Sequence, residues 1–241
     1  MVNYLKAELL KKKHQFVLKL LWISPIVPIV LVIVLMGGGY FMEGAFNWWY
    51  TIILPGILSM FAAFTISSEK KHNHHGLFAV CVNKKKLWLS QVFANTILLL
   101  IVNLVFFAVM VAVGAFLGIG VPLFDSFIAS IVLFVTFAWQ MPMFMFLSER
   151  IGGFFSIIAC LFCNFSFGIF FAPTKFWWIP FAIPARLMCP IIKVMPNGLP
   201  LQEGHTLGNS SVILFGIIIT MALYVLLSFI TTLWFNKREA K

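Results

Sequence analysis

Along the chain, charged residues gather in short runs and leave long stretches with no Asp, Glu, Lys or Arg. Six such stretches cover residues 20–42, 44–68, 87–124, 126–148, 151–174 and 204–236. Each is long enough to cross a bilayer, which takes about 20 apolar residues as a helix. The pattern predicts spans near 20–36, 50–67, 91–117, 127–147, 152–172 and 210–235. The third run is long enough to tilt or to extend beyond the bilayer. Each run is read as helical, because strands in lipid need a closed barrel with alternating polar residues, and no such alternation occurs. The expected fold class is an all-α polytopic membrane protein, with 1–241 as a single transmembrane domain.

Composition and charge sharpen this picture. The chain is 62% hydrophobic and only 10% charged, with mean hydropathy +1.03. Soluble domains carry roughly 25% charged residues. The net charge is +10. In a soluble chain that surplus would suggest nucleic acid. In a membrane chain it marks ends that face anionic lipid, so membrane lipid is an expected partner and nucleic acid is not. Fourteen of the 17 Lys and Arg lie in the N-terminal arm, in the connections after the second and fourth spans, and in the tail. The other connections hold only Lys175, Arg186 and Lys193. The positive-inside rule places the first set in the cytosol, with both termini. Six crossings fit that placement. No small-residue cleavage site follows the first apolar run, so it is read as a retained anchor rather than a signal peptide.

Finer expectations follow from residue type. Trp48, Trp49 and Tyr50, and likewise Phe176, Trp177 and Trp178, are expected at the outer headgroup level, with Trp234 at the inner one. Pro25, Pro28, Pro55 and Pro142 lie within spans and are expected to kink them. Residues 1–19 read as a basic amphipathic arm in the inner headgroup plane. Tyr4, Leu5, Leu9, Leu10, Phe16 and Val17 would share its apolar side. Cys160 and Cys163 form a C-x-x-C inside an apolar stretch, and are read as small packing residues rather than a redox or zinc pair.

Candidate chemistry is sparse. There is no G-x-x-x-x-G-K-[ST] phosphate loop, no H-E-x-x-H and no G-x-S-x-G. No catalytic residue, metal or cofactor is therefore assigned, and the chain is not read as an enzyme. The predicted spans contain no Asp, Glu, Lys, Arg or His, the groups that ion-coupled carriers place at midplane. This favours a device whose energy arrives from outside the membrane. The connection 68–90 carries the main signal. Glu69-Lys70-Lys71 opens it, then His72-Asn73-His74-His75, then the apolar patch Leu77–Val82, then Lys84-Lys85-Lys86. An apolar patch in a cytosolic loop is costly unless it docks on something. A short helix seated in a partner's groove would explain it. The histidines lack a carboxylate or thiolate spaced to complete a metal site.

Three stretches carry a family resemblance. They are NYLKAELLKKKHQF running into a Pro-containing span, WWYTIILPGI with EKKHNHHGLFAV and NKKKLW after it, and WWIPFAIPARLMCPIIKVMPNGLPLQEGHTL. With the six-span layout, the chain resembles the permeases of ABC-2 exporters, and among them the lantibiotic immunity permeases of the mutacin and epidermin type (the MutE/EpiE family). That resemblance implies a permease paired with a second, similar permease and a cytosolic ATPase dimer that binds ATP and Mg. Such a complex would expel a lantibiotic peptide from the cell membrane of a Gram-positive producer. It implies ATPase coupling through Glu69, Lys70, Lys71, Asn73, Leu77 and Phe78. It implies an extracellular vestibule within 173–209 that includes Arg186, Pro196, Asn197, Gly198 and Pro200. Two alternatives stay open: an ABC-2 permease for another amphiphile, such as a different antibiotic or a lipid-linked molecule, and an ATPase-independent channel or enzyme.

Overall fold

The computed structural model describes residues 1–13, 16–36, 40–71, 83–119 and 122–237, and it is mostly helical. No strand occurs among those residues, and a single antiparallel bridge joins Val194 to Pro200. The helices are α1 (Val2–Lys12), α2 (Val17–Ile23), α3 (Ile26–Met36), α4 (Phe41–Trp48), α5 (Leu54–Lys71) and α6 (Lys84–Phe116). They continue with α7 (Leu123–Ala138), α8 (Gln140–Ile151), α9 (Gly153–Phe170), α10 (Ile183–Ile192) and α11 (Ser211–Asn236). A π-turn, Trp49–Ile53, joins α4 to α5, so these three form one rod. Among the described residues, five runs are long and apolar enough to cross a membrane, and a sixth forms if α7 and α8, bent by 41°, count as one span. The chain is thus an all-α polytopic membrane protein by architecture.

The prolines explain the bends. Proline has no N–H, and its ring clashes with the carbonyl four residues back. Pro28 cannot bond the Ser24 carbonyl, and the Val27 N–H takes it instead at 3.2 Å. The first span breaks there, between α2 and α3. Pro142 cannot bond the Ala138 carbonyl, and α7 gives way to α8 at Trp139. Pro55 cannot bond the Thr51 carbonyl, and the preceding turn widens to π, with the Leu54 N–H reaching back to the Trp49 carbonyl.

Packing is close where residues are small. α5 lies against α8 and α9. A Cβ at Gly153 of α9 would fall 2.9 Å from the Cβ of Ala63 on α5. Close helix approach through small residues is the usual basis of association in lipid. Gly152, at φ +91, is the one-residue link between α8 and α9. Only glycine adopts such a turn without strain.

One expectation is corrected. Trp49 and Tyr50 are not headgroup-belt residues. Both are fully buried: Trp49 stacks on Phe106 with ring centroids 4.4 Å apart, and its indole N–H donates to Asn103 at 3.1 Å. In the arm, Leu10 and Phe16 are exposed, Tyr4, Leu5 and Leu9 are half-buried and Val17 is buried, while the deepest residues of α1 are Glu8 and Lys12. The segment 173–209 contains α10, whose residues Ile183–Cys189 are buried against α7, α9 and α11. Its ten residues are apolar enough to pack, and Pro184 falls in the first turn, where a missing N–H costs nothing.

Candidate functional site

The bundle has a basic end, where α1, the end of α5, the start of α6, the α8–α9 link and the end of α11 meet. Tight contacts define it. Lys12 of α1 is 2% exposed. Its ammonium donates to the Thr65 hydroxyl of α5 at 2.8 Å and to the Asn95 amide oxygen of α6. Thr65 and Asn95 also bond each other at 3.1 Å. Beside them Lys11 bridges two carboxylates, Glu8 at 2.8 Å and Glu69 at 3.0 Å. Gln91 of α6 donates to the same Glu69 oxygen at 3.3 Å. Glu8, Lys11, Lys12, Thr65, Ser68 and Glu69 surround a small open recess of about 200 Å³.

Burial sets the electrostatics of the arm. It disfavours the charged form of each group. It pulls Lys12 down to about 8, against the favourable charge of Glu8. It pushes the Glu8 carboxyl up, opposed by the hydrogen bond from Lys11. Burial acts downward on Lys11 too, yet pairing with Glu8 and Glu69 outweighs it and raises that ammonium. Lys11 thus pairs directly with both carboxylates, whereas the buried Lys12 ammonium is held by the neutral oxygens of Thr65 and Asn95.

Of the expected coupling residues, Glu69 joins this cluster. Lys70 turns the other way: it donates to the Glu149 backbone carbonyl at 2.8 Å and lies 3.6 Å from the Glu149 carboxylate. Lys71 is the last residue of α5. Asn73, Leu77 and Phe78 lie outside the described residues, as does the histidine run 72–75. Nearby, the guanidinium of Arg150 lies 5.1 Å from the ring centre of Trp234, which in turn meets Trp88 edge-on.

The opposite end is closed by α10 and the segment after it. Arg186 is buried, and its Nη1 donates to the Leu207 carbonyl at 2.6 Å, clamping α10 to the 3-10 turn Thr206–Gly208. It braces the segment rather than facing open space. Pro196 and Asn197 do line an open cleft of about 780 Å³, with Ile169, Pro173, Met195 and His205–Leu207. Pro200 forms the bridge to Val194, and Gly198, at φ +86, sits against Asn47.

Sequence reasoning missed Lys12, Glu8 and Asn95. The signal available was the charge pair Glu8 and Lys12 one helical turn apart on an arm entering the membrane. No group of three or more His, Cys, Asp or Glu able to hold a metal occurs among the described residues. The Cys160 thiol is buried and donates to the Pro55 carbonyl at 3.4 Å, as a packing residue would, and Cys160 and Cys163 are both free. Searches against protein-family models, curated proteins and solved structures return no match for this chain.

Proposed function

We propose that the chain is the permease subunit of an exporter powered by a separate ATPase. The cargo proposed from the family resemblance is a lantibiotic-type antimicrobial peptide, expelled to protect a Gram-positive producer. In this reading the basic end faces the cytosol, both termini lie there, and a second, similar permease completes the pathway. A cytosolic ATPase dimer, holding ATP and Mg, engages the connection that leaves α5 at Lys71.

One observation supports the coupling role most directly. The end of α5 ties together three other elements: Glu69 contacts Lys11 of α1 and Gln91 of α6, and Lys70 contacts Glu149 of α8. A push on the connection at 72–82 would therefore load the arm and two further spans at once. α5 continues through the π-turn into α4, so the same push reaches the far end of the rod. A solvated loop with no partner would not need its root braced in this way.

The test is purification of the tagged chain from its native membrane under mild detergent, with mass spectrometry of what accompanies it. The expected companions are an ATPase carrying a phosphate loop and a second permease. The isolated chain is expected to show no ATP hydrolysis. Absence of any ATPase, or stoichiometric hydrolysis by the pure chain, sinks the proposal.

A further inference from the structure

The far end of the second span is fastened to the segment that closes the bundle. The Asn47 amide donates to the Pro196 carbonyl at 3.1 Å and to the Tyr50 hydroxyl at 2.8 Å. Pro196 belongs to a hairpin over residues 193–201. Its backbone bonds run from the Leu201 N–H to the Lys193 carbonyl at 2.7 Å, from Met195 to Leu199 at 2.8 Å, and from Gly198 to Met195 at 2.8 Å. Gly198 rests on Asn47 with nothing between them: a Cβ at Gly198 would lie 3.1 Å from the Asn47 amide carbon and oxygen. The hairpin packs Val194, Pro196 and Gly198 into the bundle, and Asn47 supplies the hydrogen bond that ties it to the span.

The Asn47 side chain stands two residues before the first residue of the π-turn Trp49–Ile53. A π-turn packs one residue more than an α-turn, and such turns occur mostly at functional sites. Returning to α register rotates the segment before the turn by about 100°, the angle of one residue. Asn47 would then leave the Pro196 carbonyl. Pro55 has no N–H to give the Thr51 carbonyl, so it biases the turn to π without barring α. The rod has its other end at Glu69, in the polar cluster of the basic end.

We infer that Asn47 is a latch holding the 193–201 hairpin closed over the far end of the bundle, and that the π-turn is where the second span rotates to release it. The gating purpose rests on the exporter reading; the latch and its link to the π-turn do not. Cargo leaving the bundle passes the hairpin only when Asn47 and Pro196 part.

The test uses the full-length chain with its native cysteines replaced, carrying Asn47→Cys and Gly198→Cys together. The Cβ at position 198 would lie 3.5 Å from that of Asn47, within the disulfide range of about 3.5–4.5 Å. A second pair, Asn47→Cys with Asn197→Cys, guards against strain at the positive-φ position. Mild oxidation in membranes is expected to cross-link one or both pairs rapidly. Adding Pro55→Ala lets the span relax to α, and is expected to slow cross-linking roughly tenfold or more, equivalent to about 1.4 kcal/mol of lost docking. Both pairs replace the Asn47 amide and so read only the approach of position 47 to the hairpin. Equal rates with and without Pro55→Ala overturn the π-turn as the point of release, and failure of both pairs to cross-link overturns the docking. Equal maleimide labelling of Pro196→Cys with Asn47 and with Asn47→Ala overturns the amide's hold. In cells with the partner ATPase, the oxidised pair is expected to abolish peptide protection, and reductant to restore it. Full protection in the cross-linked state overturns the gate. If the cysteine-free parent gives no protection at all, the exporter reading fails, and the Pro55→Ala comparison still decides the point of release.

Discussion

Lys12 and Thr65 lie 53 positions apart in the chain, yet the ammonium of one donates to the hydroxyl of the other at 2.8 Å in a buried site. No carboxylate lies within ion-pair distance of that ammonium among the described residues. Its folded pKa, about 8, is below the ordinary lysine value of 10.5. The unfolded state therefore binds more protons between about pH 8 and 10.5, and stability rises with pH across that window. Below pH 8 the cost of burying the charge is complete. A tenfold difference in proton affinity corresponds to about 1.4 kcal/mol, so the window spans roughly 3 kcal/mol. Lys12→Met keeps the shape and removes the charge. It is expected to flatten the rise of thermal stability with pH from 8 to 10 and to unfold no more easily at pH 7. Thermal unfolding in detergent across that range checks this; parallel slopes for parent and variant would refute it.

Two glycines separate rigid from compliant packing. A Cβ at Gly153 meets the Cβ of Ala63 at 2.9 Å, an atom fixed to the backbone of α5. A Cβ at Gly216 meets the end of the Leu187 side chain at 2.7 Å, which can turn aside, and the Ile183 Cγ2 at 2.9 Å, which moves only with a change of χ1. Gly153→Ala is expected to cost about 1–3 kcal/mol, the usual penalty for overpacking, and Gly216→Ala clearly less. Melting temperatures of the two purified variants decide the order.

Much of the fold was legible because lipid imposes a coarse rule: long uncharged runs must be helices. The bends were legible too, since Pro28, Pro55 and Pro142 each remove one backbone bond, although the π form of the second bend was not. What the pattern hid were placements set by tertiary partners. The apolar pattern of the arm gave no sign that Glu8 and Lys12 are its deepest residues, which they are because Thr65, Asn95 and Lys11 offer them polar partners. Trp49 and Tyr50 look like belt aromatics, but Asn103 and Asn47 provide hydrogen bonds inside the bundle. The prolines and glycines of 173–209 mask α10. Glu69 stood out as a candidate because a carboxylate at the root of a basic loop is conspicuous, whereas its partners on other helices are not adjacent in sequence.

The orientation makes a direct prediction. Gln202 and Asn83 are both exposed. In a cysteine-free background, Gln202→Cys is expected to react with an impermeant maleimide on intact cells. Asn83→Cys and Asn236→Cys are expected to react only after permeabilisation. Labelling of Asn83→Cys from outside would invert the assignment of the basic end while leaving the bundle itself unchanged.

The final prediction concerns Glu69. Its contact with Lys11 involves an ammonium whose side chain is 45% exposed. Such pairs contribute about 0–1 kcal/mol. Glu69→Gln keeps the shape and an acceptor oxygen, so little change in thermal stability or in ATPase capture is expected. Transport is a different matter. Glu69 joins the arm to α6 through Lys11 and Gln91, at the root of the connection on which the proposed ATPase pushes. Without the charge the arm follows that push less faithfully, so peptide protection is expected to fall while assembly persists. Leu77→Ser with Phe78→Ser probes the other half of the device. Burying each side chain contributes roughly 1.5–3 kcal/mol. Losing both is expected to weaken ATPase capture by about 100-fold or more. The two variants thus separate: one assembles and fails to protect, the other fails to assemble. ATPase pull-down and survival under peptide challenge, at matched membrane expression, read both outcomes. If both variants assemble and protect like the parent, the connection after α5 is not the coupling element.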